Sequence, residues 1–223
     1  MSAQQQEIAL FGAKTDTMPA YLQDAKDAGL GNENVGSEDQ TIPRLNLLQA
    51  LSPQIDEVKE AKAGLFHNSV TDELYEQVFV VNLMYSKEFA IFKKRKLGGG
   101  FHGNFVNRDD ATVALGELPG NTDDYDIVET AKHTCLMLDE KGVPVQPVLI
   151  YMKSTALNVS RKWNSEINLR SPESPRFATV WKLSSRKQSN DFGTWHNFVA
   201  EFEAWTPEDL YIEAKALYEA FSV

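Results

Sequence analysis

Alternation of apolar and polar positions predicts strands through most of this chain. The segments 64–70 (GLFHNSV) and 76–86 (EQVFVVNLMYS) read as strands, the second rich in β-branched and aromatic residues. KEFAIFKKRK, at 87–96, continues the pattern. In 127–139, Thr130, Lys132 and Thr134 alternate with Ala131, His133 and Cys135, as on a half-exposed strand. In 143–154, Val148, Ile150 and Met152 face one way and Leu149, Tyr151 and Lys153 the other. Segments 177–187 and 194–205 read as two strands around a polar turn, with Phe198, Ala200 and Phe202 sharing a face.

The period changes twice. After Ser154 or Thr155, either of which can cap a helix, Val159, Trp163 and Ile167 recur every four residues and predict a buried helical stripe, which SPESP ends. From Thr206 the pattern is helical again, with Thr206 as its cap, Pro207 at the first position and Glu208 and Asp209 complementing the dipole. IPRLNLLQAL, at 42–51, fits neither period, and Pro43 and Pro53 limit it to one short element. The stretch 97–126 reads as a long loop opening on Gly98, Gly99 and Gly100. Residues 1–41 read as a mobile, acidic, polar arm with one short helix over 19–28. The predicted organisation is thus an arm (1–41), a β domain (42–205) and a C-terminal amphipathic, acidic helix (206–223). Short β segments with a helix before the last two strands predict a mainly β fold, an OB-like Greek-key barrel with accessory helices, although one strand too many is counted.

Charge changes this picture from architecture to chemistry. The 223 residues carry a net charge of −10. Residues 150–190 nevertheless hold eight cations (Lys153, Arg161, Lys162, Arg170, Arg176, Lys182, Arg186, Lys187) against two anions. Residues 87–96 hold five (Lys87, Lys93, Lys94, Arg95, Lys96) against one. Phe89, Phe92, Tyr151, Trp163, Phe177 and Trp181 lie among them. Local positive charge interleaved with planar rings suits a flexible polyanion, because cations release condensed counterions and rings stack on bases without demanding a particular one.

IPRLNLLQALSP at 42–53 and the following Gly64-Leu65-Phe66-His67-Asn68 step resemble the opening of phage-encoded proteins similar to the single-stranded DNA-binding proteins of tailed bacteriophages. The resemblance covers roughly 42–205. It implies an OB barrel, coating of single-stranded DNA in phage replication or recombination, and a host-cytoplasmic location. Those relatives often end in a disordered acidic tail that recruits replication partners. This chain instead ends in the helix described above, which would do that work in another form.

The candidate nucleic-acid-binding residues are therefore Phe92, Lys93, Lys94, Arg95, Lys96, Phe101, Tyr151, Lys153, Arg161, Lys162, Arg176, Trp181, Lys182, Arg186 and Lys187. Trp163 on its helix is read as core rather than platform. The glycine-rich loop has neither the Lys-Ser/Thr of a P-loop nor a dinucleotide fingerprint. Four scattered histidines and Cys135 show no metal-ligand spacing, and no nucleophile motif is present. The chain is accordingly expected to be non-enzymatic and to need no cofactor. Two other classes remain: a protein-interaction module that inhibits a host enzyme, and a metal-dependent nuclease using Asp109-Asp110 or Asp123-Asp124. One cysteine excludes an internal disulfide, and no apolar run has the length of a membrane span. The oligomeric state is left open, a homo-oligomer included.

Overall fold

The computed structural model describes residues 29–36, 39–170, 172–191 and 193–222, so the helix expected over 19–28 lies outside the described residues. Met1–Thr41 and Ile42–Val223 are two compact units. In the first, the described residues form turns, one closed by the Asn32 N–H on the Gly29 carbonyl at 3.0 Å.

The second unit is mainly antiparallel β. Its strands are β1 (Leu45–Leu47), β2 (Phe66–Asn68), β3 (Leu74–Tyr75), β4 (Val78–Lys93), β5 (Phe101–Phe105), β6 (Tyr125–Leu138), β7 (Pro144–Lys153), β8 (Thr179–Asn190) and β9 (Gly193–Trp205). The helices are α1 (Gln54–Glu57), α2 (Arg108–Gly116), α3 (Ala156–Arg170) and α4 (Glu208–Phe221). No described helix is long and apolar enough to cross a membrane. A large sheet has the order β7-β6-β4-β8-β9, with β5 added to β4, and a small sheet has the order β1-β2-β3. No closed barrel is found among the described residues. The expected OB-like closure is corrected because β7 and β9 end the large sheet without pairing each other.

The small sheet lies at both of those margins. Pro43 C=O accepts from Leu149 N–H of β7 at 2.8 Å, and Arg44 bridges Leu149 in parallel. On β9, the Gln49 carboxamide takes both main-chain groups of His196, its Oε1 accepting from N–H at 2.8 Å and its Nε2 donating to C=O at 2.9 Å.

β4 is the axis of the unit. Its first residues pair with β6 on one side and β8 on the other, as in Val80↔Met137 and Val80↔Trp181. Because side chains alternate, Val78 and Val80 enter one core with Ile150, Met152, Trp163, Trp181 and Phe198, beneath α3. Val81 and Leu83 enter a second core on the opposite face with Leu136, Phe177, Leu210 and Ala214, beneath α4. The predicted α3 stripe is real: Trp163 and Ile167 are buried and Val159 packs half-buried. At the start of α4, Pro207 occupies the cap position with no side-chain hydrogen bond, so the capping role expected of Thr206 is not seen.

Further along, β4 extends beyond β8 and pairs with β5, as in Phe92↔Phe101. The stretch read as one long loop therefore contains β5 and α2. Asn107 caps α2 through the Asp110 N–H, and Ala111 packs under it with Ile91 and Tyr125 in a third small core.

Candidate nucleic-acid interface

Alternation in this extended part of the sheet leaves one face without a helix. Ile91 turns toward α2, so Glu88, Ala90 and Phe92 turn the other way. The registers Glu88↔Thr130, Thr130↔Lys153, Lys132↔Tyr151 and Ala90↔Asn104 carry that face across four strands, β7-β6-β4-β5. Tyr151 stands toward one end of it, and Phe92 with Phe101 toward the other. From the Ser86 row, level with Lys132 and Tyr151, to Phe92 is six residues, about 20 Å along β4.

The rings are available. Phe101 is 61% exposed, and its centroid lies 5.6 Å from that of the half-buried Phe92, tilted by 55°. At the other end Arg44 places its guanidinium 5.4 Å from the centroid of Tyr151. In the middle, Lys132 pairs with Glu88 at 3.1 Å, and Asn104 Nδ2 donates to the same carboxylate at 2.6 Å. These residues adjoin a trough of about 1140 Å³ that continues past Lys153 and Gln49 to the β8–β9 hairpin and includes Trp195.

The predicted cations separate by their partners. Among the described residues, Lys93, Lys94, Arg95, Lys96, Lys153, Arg186 and Lys187 have no carboxylate within ion-pair distance, nor has Arg44. Arg161 instead pairs with Glu129 at 3.7 Å, Lys162 with Glu166 at 3.5 Å and Lys182 with Glu201 at 3.1 Å. Lys93–Lys96 follow directly on Phe92, where Lys93 N–H donates to Gly100 C=O and Lys94 N–H to Asp124 C=O. Arg186 and Lys187 lie elsewhere. Val78↔Leu183 fixes β8 so that these two residues run past the beginning of β4, away from the Phe92 end. The two cationic runs thus do not form one ridge.

Two expectations are corrected outright. Trp181 is completely buried and its Nε1–H donates to Thr179 Oγ1 at 2.8 Å, so it presents no ring to a base. It lies inside because β8 is an interior strand with β4 and β9 on either side. Arg176 is also turned inward. Its Nε donates to Asn82 Oδ1 at 2.8 Å, its Nη2 bonds Asn164, and its guanidinium lies 5.5 Å from the centroid of Tyr85. Removal from water lowers its pKa.

Arg176 belongs to a polar chain through the α3 core. Since Asn82 Oδ1 accepts from Arg176, its Nδ2 must donate to His133 Nδ1, at 2.9 Å. That leaves His133 Nε2–H to donate to Ser160 Oγ at 2.8 Å. The imidazole stacks on Trp163 with centroids 4.6 Å apart. Burial first, and Arg176 second, push its pKa down to about 3. The neighbouring Cys135 thiol is wholly buried and its pKa is raised, which makes it inert. This is the structural arrangement of a satisfied core histidine, not a catalytic pair. Asp109 and Asp110 occupy the first turn of α2, and Asp123 and Asp124 a 3₁₀ turn. Among the described residues no group of three potential ligands is placed to hold a metal.

Arg44, Lys132, Glu88 and Asn104 were missed by sequence reasoning. Lys132 and Tyr151 each sat on a correctly read alternation, and only the register that sets them side by side was lacking. Arg44 joins the trough through tertiary contacts with no local signal.

An open, ring-bearing sheet face beside helix-covered cores marks a mainly antiparallel β protein with accessory helices. The chain belongs to the Pam3 phage gp34-like protein family, whose model matches residues 11–223, and it is a bacteriophage protein. No curated protein and no solved structure matched it.

Proposed function

We propose that this phage protein binds single-stranded DNA, without enzymatic activity, and coats it during replication or recombination in the host cytoplasm. The observation that carries the reading is the uncovered face β7-β6-β4-β5. It has Tyr151 toward one end, Phe92 and Phe101 toward the other, and cations without carboxylate partners at both. Bases would lie on the rings. Phosphates would meet Arg44 and Lys153 at one end and Lys93–Lys96 at the other. A protein of net charge −10 would repel nucleic acid over most of its surface, so binding would be local to its unpaired cations. The platform requires no closed barrel, and membership of a phage family agrees with the role.

The test is fluorescence anisotropy of a labelled oligo(dT) of about 20 nucleotides at two salt concentrations. Binding should weaken as salt rises. Phe101→Ala should lose one stack, about 1–3 kcal/mol or roughly five- to hundredfold in affinity. Its thermal midpoint should hold, because the ring is 61% exposed. No binding in either buffer would overturn the proposal, and a salt-dependent complex with an acidic host protein would then favour the inhibitor reading.

A further inference from the structure

A second cavity adjoins the trough. It is a groove of about 490 Å³ between α3 and the β8–β9 ladder, with Lys162 on one wall and Arg186 on the other. Trough and groove share Thr155, Asn197 and Phe198. The joint lies where β7 turns into α3 at Ser154, an exposed residue held at a left-handed φ of 54°. The two cavities differ in chemistry. The trough has accessible rings. In the groove the aromatic residues are Trp163, 1% exposed, and Phe198, 8% exposed, both core members. Its solvent-facing groups are polar or charged, and Lys162 is tied to Glu166 while Arg186 has no carboxylate partner among the described residues. Lys187, the next residue on β8, is exposed, but alternation turns it to the opposite side of the strand, and it does not line the groove.

We propose that trough and groove are one track: a single strand stacks its bases on the platform, turns around the end of β7 at Thr155, and continues with its phosphates along Arg186. This rests on the platform reading and adds to it a second segment that holds backbone only. The physical consequence is a division by length. A short strand goes to the platform, where stacking adds to phosphate binding, and leaves the groove empty. A long strand fills both. Arg186, which does not adjoin Lys93–Lys96, then serves the same ligand without forming one ridge with them.

The experiment compares oligo(dT) of about 5 and about 20 nucleotides on the full chain and on Arg186→Ala. The substituted residue is exposed, and a matching circular dichroism spectrum confirms the fold. On the short strand affinity should be unchanged. On the long strand it should fall severalfold near physiological salt, and the log–log salt slope should flatten by about 0.7 for the one phosphate no longer neutralised. Equal loss on both lengths, or loss on neither, overturns the two-segment track while leaving the platform reading standing. Failure of the unsubstituted protein to bind either strand overturns the platform reading, and the track with it.

Discussion

His133 makes folding stability depend on pH in a way that can be calculated. In the folded chain the imidazole is fully buried, accepts from Asn82 and donates to Ser160, so it is held neutral with a pKa of about 3. In the unfolded chain it titrates near 6.5. Between those values the unfolded state binds the extra proton, and the slope of unfolding free energy with pH is positive. The contribution is therefore whole above pH 6.5, shrinks as pH falls, and is gone below about 3. Its full size is about 5 kcal/mol, from a displacement of three to four pKa units at about 1.4 kcal/mol each. Carboxylates also titrate in this window, so the informative quantity is a difference between proteins. Urea unfolding of the parent and of His133→Gln at pH 7, 6, 5 and 4 should give free energies that converge on acidification by about 1.4 kcal/mol per unit below pH 6. The parent should start higher, because the glutamine leaves part of the chain unsatisfied. Ser160→Ala is the companion: it removes the acceptor of Nε2–H, costs about 1–3 kcal/mol at neutral pH, and keeps the parental acid slope. Parallel curves for the parent and His133→Gln would refute the assignment of a buried neutral imidazole.

Three further outcomes follow from the geometry. Gly64→Ala should destabilise the fold by about 1–3 kcal/mol in urea. Gly64 has φ +96°, a Cβ there would meet the His196 ring at 2.8 Å, and its carbonyl is held by Ser185 Oγ. Leu210→Ala should cost about 2–5 kcal/mol in the same assay, since Leu210 is 6% exposed in the core that anchors α4; an unchanged midpoint would mean that α4 does not dock as described. Replacing Lys93, Lys94, Arg95 and Lys96 together with alanine should flatten the salt dependence of oligonucleotide binding by about 0.7 of a log unit for each phosphate that these residues neutralise. A retained slope would show that run to be merely solvated.

Much of the fold was legible because long amphipathic strands carry their own instructions. The alternation in 127–139 and 143–154 sorted the residues of β6 and β7 correctly into two faces, and the four-residue recurrence of Val159, Trp163 and Ile167 located the core side of α3. Closure was not legible. Whether β7 meets β9 depends on where residues 43–49 come to rest, and that segment has no periodicity because it spans two margins of the sheet. The stretch 97–126 misled for a related reason. β5 is short, follows Gly98–Gly100 and has Gly103 at its centre, so pairing with the far end of β4 left little local trace. For the surface, the sequence showed which residues are charged but not which charges are already neutralised. Arg161, Lys162 and Lys182 looked the same as Lys153 and Arg186 until Glu129, Glu166 and Glu201 were found beside them. Trp181 failed as a ligand residue because an indole in the middle of a sheet is most stable when packed on both sides.

The grip of Gln49 on His196 has a bearing on how the protein behaves at high concentration. A carboxamide offers the same donor and acceptor as a peptide unit, so at this rung it satisfies the outermost strand much as a neighbouring chain would. Unlike a chain, it presents no further ladder on its outer side. The marginal strand is thereby plugged there, and copies crowded together have one fewer invitation to join into an endless ribbon.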